Sequence, residues 1–345
     1  MRQDKSPGRS LLGRKSGFMA RYGEFDLIAS LLAPLASGHP GAYGLRDDAA
    51  TIAPDDGHEF VVTADTLVEG RHFSEGDDAG GIARKALRAN LSDLAAMGAR
   101  ARFYLSSLVW PDKTEAEFQR RFVSGWAADQ ERYGVTLIGG DITASPGPFV
   151  IQITAIGDVP LGRAVRRGGA RPGDLLAVTG TIGDAGLGLA CRTGKLDLED
   201  RHSQALIERH LRPEPRLGIA EALRRYANAA VDISDGLIAD AGHIASASDC
   251  SLTIDLEDMP VSAGAQAWLD RQQDEAAGRV ALATSGDDYE LACAVPPDHV
   301  GGFADACRHA GLGLTVLGRF DAGEGVTVRH RGKTREISRA GFTHF

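Results

Sequence analysis

Glu59-Phe-Val-Val-Thr-Ala-Asp65 opens the reading of this chain. Five apolar or β-favouring residues lead into an aspartate, and Thr66-Leu-Val-Glu-Gly70 follows. The run predicts a buried strand that delivers the Asp65 carboxylate to the rim of a sheet. Similar runs recur outward from it. Val135-Thr-Leu-Ile138 leads into Gly139-Gly140-Asp141, and Ala229-Ala-Val-Asp232 leads into Ile233-Ser-Asp235-Gly-Leu. Between them, Ile82–Met97 is rich in Ala and Leu and ends at Gly98, which predicts a helix carrying Asn90 and Asp93 on one face. Asp47-Asp48 follows Arg46 in a short turn-like motif that reads equally well as a solvated turn.

The remaining periodicities fill in an α/β (α+β) order. Helical spacing covers Phe25–Leu32 and stops near Pro34, and a long amphipathic helix is expected over Glu115–Tyr133. Strands are expected at Phe103–Val109, Phe149–Ile156 and Leu175–Thr179. Arg212-Pro-Glu-Pro-Arg216 is a stiff turn, and Ser234 or Asp235 is the expected cap of a helix over Gly236–Ser246. A last helix covers Val300–Ala310, followed by hairpin-like strands that turn at Arg331-Gly332-Lys333.

Composition bounds the function. The chain has 345 residues, 43% hydrophobic and 25% charged, which fits a two-domain globular protein. A formal net charge of -9 argues against a dedicated nucleic-acid binder. The four cysteines are scattered and include no C-x-x-C pair, so neither a zinc site nor a disulfide framework is expected and a reducing cytoplasm fits. No apolar run approaches the length of a membrane span. Arg2, Lys5, Arg9, Arg14 and Lys15 predict a flexible basic extension over residues 1–20, with Met19 as an alternative start. The composition shift near Gly162–Asp174 places a domain boundary at residue 160, dividing 21–160 from 161–345.

The acids carry the chemistry. At an effective dielectric near 20, two carboxylates about 4 Å apart repel by roughly 4 kcal/mol. A converging set either holds protons or holds a divalent cation. Magnesium takes oxygen ligands and substrate phosphates, and Thr63 and Ser234 flank the acids as hydroxyl donors. Arg163, Arg166, Arg167 and Arg171 supply guanidiniums suited to phosphate, although a solvated linker explains them as well. Gly180, Gly183 and Gly186 after the Leu175–Thr179 strand have the look of a phosphate loop at a helix start. Neither the P-loop nor the protein-kinase signature set is present. No nucleophile constellation can be assembled, so catalysis by metal and positioning is the consistent mechanism.

Taken in order, Arg46-Asp-Asp-Ala-Ala50, Asp65-Thr-Leu-Val-Glu-Gly-Arg-His-Phe73, Lys85–Ala99, Ile138-Gly-Gly-Asp141, Arg212-Pro-Glu-Pro-Arg216, Asp232–Leu237 and Gly286-Asp-Asp-Tyr-Glu-Leu291 resemble the thiamine-monophosphate kinases. These belong to the superfamily of aminoimidazole ribonucleotide synthetase and selenophosphate synthetase. The resemblance runs from about residue 22 to the C-terminus. It implies a two-domain synthetase-like fold, an N-terminal mixed sheet that pairs in a homodimer, and transfer of the ATP γ-phosphoryl group to thiamine monophosphate. It assigns several Mg2+ ions to Asp48, Thr63, Asp65, Asp93, Asp141, Asp232 and Asp235, with Asp93 and Asp141 the most critical. It assigns ATP to Gly140, Asp141, Arg167 and Ser234, and the thiamine side to His72, Asp287 and Phe342. Three departures stand out. Arg46 replaces a glycine and Ala64 replaces a hydroxyl residue, so a metal contact at Ala64 must use its carbonyl. Asp287 replaces a longer acid. The alternatives are another ATP-using enzyme of the superfamily, or a silent nucleotide or thiamine-phosphate binding protein.

Overall fold

The computed structural model describes residues 22–342; the basic extension and Met19 lie outside the described residues. A single helical turn, α1 (Glu24–Leu27), widens over Ile28–Leu32 and tightens over Ala33–Ala36. The uniform helix expected over Phe25–Leu32 does not form. Pro34 has no amide to continue the ladder and its ring crowds the carbonyl four residues back, so the last turns change pitch.

The first unit is β1 (His58–Val68), α2 (Ala79–Ala96), β2 (Arg100–Pro111), α3 (Ala116–Tyr133), β3 (Thr136–Ser145) and β4 (Val150–Pro160). Its four-stranded sheet has the order β1-β4-β2-β3, with β2 and β3 parallel and the other pairs antiparallel. The strands run further than the apolar runs that announce them. β1 continues through Asp65, which pairs with Ile153, and β3 continues through Asp141, which pairs with Ser107. The two aspartates therefore stand on faces of the sheet and not at its rim, a correction to the sequence reading. Ladder hydrogen bonds need no apolar side chain, so a strand can persist where one face opens to solvent.

Alternation along the strand then decides the site. Thr63, Asp65 and Leu67 point toward α2, while Val62, Ala64 and Thr66 point away, and Val62 is 60% exposed. Asp141 stands on that open side with Ser107 and Gln152. Beside it, Gly140 has to be glycine, because a Cβ there would lie 1.9 Å from the Ser106 carbonyl oxygen. The opposite face is closed by α2 and α3 over a core that includes Leu87, Leu91, Leu94, Trp110, Phe122 and Trp126.

The second unit contains β5 (Leu175–Thr179), α4 (Asp184–Arg192), α5 (Asp200–Leu211), α6 (Ala220–Tyr226), β6 (Ala229–Asp232), α7 (Leu237–Ala247) and β7 (Cys250–Asp255). It continues through α8 (Ala263–Leu269), α9 (Glu275–Ala283), β8 (Leu291–Val295), α10 (Val300–His309), β9 (Leu314–Ala322), β10 (Val326–His330) and β11 (Lys333–Arg335). The seven-stranded sheet has the order β11-β10-β7-β9-β5-β8-β6, and β7 and β10 form its parallel pair. Leu176 and Val178 pack under α7 and its neighbours, whereas Ala177 faces Phe303 and Cys307 of α10. Both faces are thus covered by helices.

The units meet along α2, which packs against β1, β2 and β4 and also against β6. The Arg212–Arg216 turn locks them together. Arg88 of α2 holds Asp129 of α3 through paired bonds of 2.8 and 2.7 Å and donates to the Pro213 carbonyl at 3.2 Å. Three residues on, Arg216 reaches into the second unit and donates through Nε to Glu290 at 2.7 Å. With both prolines fixing the backbone, the turn behaves as a strut.

Candidate active site

A cleft of about 540 Å³ lies where the two units face each other. β1 supplies Asp65, α2 supplies Asp93, and β6 ends in Asp232. Ser234 and Asp235 follow in the turn to α7, and all five line the cleft. His72, Asp287 and Phe342 line it too. Thr63 stands beside them and donates to Asp93 Oδ2 at 2.5 Å. Asn90 ties strand to helix, accepting from the Asp65 amide at 3.0 Å and donating to the Ala86 carbonyl at 3.0 Å. His72 accepts from the Val68 amide through Nδ1 at 2.9 Å, so its neutral ring carries the proton on Nε2.

The carboxylates are electrostatically uncomfortable. Burial, and then the charge of Asp93, pushes the Asp65 carboxyl up to about 6. Burial and Asp93 also push Asp232 well above the ordinary range. Asp93 is raised by burial in spite of the Thr63 hydrogen bond and the nearby charge of Arg167. Three acids from three elements thus favour the protonated form, and an oxygen-preferring divalent cation would relieve the same repulsion. The donor set is all oxygen and fits magnesium. Arg167 joins Thr63, Asp93 and Asp232 around a side cavity of about 190 Å³.

Other expected residues lie elsewhere. Asp48, Gly140 and Asp141 line a second cleft of about 630 Å³ on the open side of the four-stranded sheet. The acidic motifs therefore do not form one centre within a single chain, and among the described residues no three His, Cys, Asp or Glu side chains are grouped closely enough to hold an ion alone. The physical cause is the persistence of β1 and β3, which puts Asp65 and Asp141 on opposite faces. Arg163, Arg166 and Arg171 are exposed; Arg163 donates to the Arg224 carbonyl at 3.3 Å. Ala64 points to the open face, away from Asp93, and Arg46 is exposed.

Two readings of helix starts are corrected. The amides of Gly183 and Ala185 at the start of α4 donate to buried Asp288 at 2.7 and 3.1 Å, which fills the position a phosphate would need. At α7 the N-terminal position is Gly236, and neither Ser234 nor Asp235 caps it. Asp240, one turn in, accepts the amides of Ser234, Asp235 and Gly236 at 3.0 Å each and so shapes the turn that presents Ser234 and Asp235.

Phe342 is pinned through its amide to the Asp235 carbonyl at 2.9 Å. The guanidiniums of Arg71 and Arg339 sit 5.2 and 5.7 Å from its ring centroid. Sequence reasoning missed both arginines, together with Lys85, His210 and Tyr289. Lys85 had a legible signal, since it lies eight residues before Asp93 on the same face of α2.

The paired mixed sheets and the acidic cleft between them define a two-domain enzyme architecture, and family comparison agrees. Residues 46–159 match the family model of the AIR synthase related protein N-terminal domain, and residues 171–331 match that of the C-terminal domain. Within that class the chain belongs to the thiamine-monophosphate kinase family. It is 43% identical to the thiamine-monophosphate kinase of Caulobacter vibrioides over 93% of this chain and 90% of the relative. It is 40% identical to that of Escherichia coli over 94% of this chain and 98% of the relative. The solved structure of AaThiL complexed with AMPPCP and TMP superposes with a TM-score of 0.75 at 32% identity, covering 95% of this chain and 100% of that one.

Proposed function

We propose that this chain phosphorylates thiamine monophosphate to thiamine diphosphate, using ATP and Mg2+. The observation that carries the proposal is a single cleft that crowds the carboxyls of Asp65, Asp93 and Asp232 and also carries His72, Asp287 and Phe342 on its wall. A phosphate acceptor is already an adequate nucleophile, so the protein has to neutralise charge and align donor with acceptor. Bound magnesium would supply charge neutralisation for the triphosphate. Thr63, Asp65, Asp93, Asp232 and Asp235 would hold it, with Ser234 and Arg167 placed to meet phosphate oxygens. His72, Asp287 and Phe342 would orient the thiamine end.

The roles of Asp48, Gly140 and Asp141 rest on a homodimer paired through the open face of the four-stranded sheet. Exposed Val62 on that face supports this reading. Residues 21–160 are then the metal-binding, ATP-binding and dimerisation domain, and 161–345 the second domain. Among the described residues no helix is long and apolar enough to cross a membrane. The free cysteines favour a cytoplasmic enzyme. The test is ADP release with magnesium, with and without thiamine monophosphate. Stimulation by thiamine monophosphate, abolished in folded Asp93→Asn and Asp141→Asn variants, is expected. ADP release indifferent to thiamine monophosphate, or near-wild-type rates in either variant, would reject the reading.

A further inference from the structure

A buried cation behind the cleft, Lys85, has no role in the account above; it lines a small cavity that shares His72 with the cleft. Lys85, Ala89 and Asp93 follow one another at four-residue intervals along α2 and share a face. At about 1.5 Å per residue, Lys85 lies about 12 Å along the axis from Asp93. Lys85 is only 4% exposed. Its Nζ donates to Asp287 Oδ2 at 2.9 Å and to the His72 carbonyl at 3.2 Å. It therefore ties together two of the residues assigned to the acceptor end, and Asp287 belongs to the other unit.

Asp287 needs such a tie. Its φ is +69°, a left-handed conformation that few non-glycine residues adopt, so tertiary contacts have to hold it. Its amide donates to the Ser234 carbonyl at 2.8 Å, which fixes the backbone but not the carboxylate. Three side chains address that carboxylate. Lys85 takes Oδ2, Tyr289 places its hydroxyl 3.5 Å from Oδ1, and His210 Nδ1 lies 3.5 Å from Oδ2. Burial, reinforced by the charge of Lys85, brings His210 down to about 4, so it faces Asp287 uncharged. Burial also works against the Asp287 anion, but the Lys85 charge and hydrogen bond outweigh it and hold the carboxyl below its ordinary value. Oδ2 is thereby committed to Lys85, Oδ1 has only the Tyr289 hydroxyl at 3.5 Å, and Asp287 lines the cleft.

We propose that Lys85 is the positioning residue of the acceptor subsite. It locks one oxygen of Asp287 and the His72 loop into a single arrangement, so that the remaining oxygen meets the cationic part of the acceptor. The inference rests on the kinase reading above. The ammonium crosses from α2 to fix an acid that the other unit supplies. It also makes α2 a common frame, with Asp93 at the phosphoryl-donor end and Lys85 at the acceptor end.

The experiment is steady-state kinetics on the full-length wild type, Lys85→Met, Asp287→Asn and the double variant, with magnesium and each substrate varied in turn. Thiamine-monophosphate-stimulated ADP release by the wild type comes first; its absence rejects the kinase reading and with it this inference. Given activity, Lys85→Met is expected to raise KM for thiamine monophosphate at least tenfold while KM for ATP stays within twofold. The double variant is expected to be no worse than the worse single one, since both remove the same arrangement. An unchanged KM for thiamine monophosphate in Lys85→Met would overturn the assignment, as would an equal rise for both substrates or single-variant effects that multiply. If Lys85→Met does not fold, Lys85→Arg carries the test: it keeps the charge but displaces it, and the same selective rise in KM is expected.

Discussion

Asp65→Asn tests the charge cluster directly, because the carboxylate is disfavoured in the fold and its effect on stability has a definite sign. The folded carboxyl is pushed from 3.8 to about 6 by burial and by Asp93. At about 1.4 kcal/mol per pKa unit, that gap corresponds to about 3 kcal/mol between pH extremes, and about 2 kcal/mol is the safer figure once partial exposure is discounted. A raised folded value means that the bound proton stabilises the fold. The contribution is complete below the unfolded value and is lost as pH rises through about 6. At pH 7.5 without divalent ions the wild type lacks it, whereas asparagine has no charge to bury. The variant should then melt higher in EDTA by about 3 °C, taking about 1.4 °C per kcal/mol for a chain of 345 residues. Its stability should also change less than that of the wild type between pH 4 and pH 7. Magnesium reverses the order. A ligand at a hundredfold excess over its Kd adds about 2.7 kcal/mol to the wild type, and less to a variant that has lost a ligand. Thermal melts at pH 5.0 and 7.5, with EDTA or with magnesium, read all four conditions. If the variant melts lower than wild type in EDTA at pH 7.5, Asp65 is making a stabilising contact and the repulsion argument fails. Equal magnesium shifts in both proteins would remove Asp65 from the metal set.

Two further outcomes concern the buried network behind the cleft and the aromatic ring in its wall. Glu290 is fully buried and accepts from Thr179, Arg209 and Arg216 at 2.7 Å, so Glu290→Gln leaves two guanidiniums facing a neutral amide and should cost about 3–5 kcal/mol in urea unfolding; a loss under 1 kcal/mol would show that the network is solvated. Phe342→Ala removes the ring between Arg71 and Arg339 and should raise KM for thiamine monophosphate about tenfold without moving KM for ATP, whereas a change confined to ATP would place the ring at the wrong end of the cleft.

Much of the architecture was legible because helix and strand periods are local properties. α2, α3 and α10 fall within a few residues of where apolar spacing put them, and β5 begins and ends as expected. The faces were not legible. Apolar runs ending at Asp65 and Ile138 suggested strands that stop, but pairing with β4 and β2 carries each strand onward. That extension separates Asp141 from Asp65 by a whole sheet. β8 was missed, since Leu-Ala-Cys-Ala-Val is too short and too uniformly apolar to show a period. Lys85 and Asp287 are 202 residues apart, and neither local sequence points to the other.

The buried aspartates around the cleft are of two kinds, and a raised pKa does not separate them. Asp240 and Asp65 are both pushed up to about 6, with burial the leading cause in each. What differs is the supply of donors. Asp240 accepts three backbone amides and Asp288 accepts two, so each is consumed in building a turn. Asp65, among the described residues, has no donor reaching its carboxylate, and Asp93 has the Thr63 hydroxyl. Fixed amides favour the anion and leave its oxygens engaged, whereas an anion buried beside another anion without amides keeps its oxygens available to a cation. Donor supply, more than acidity or sequence position, therefore distinguishes the carboxylates suited to hold magnesium from those that hold the backbone in place around them.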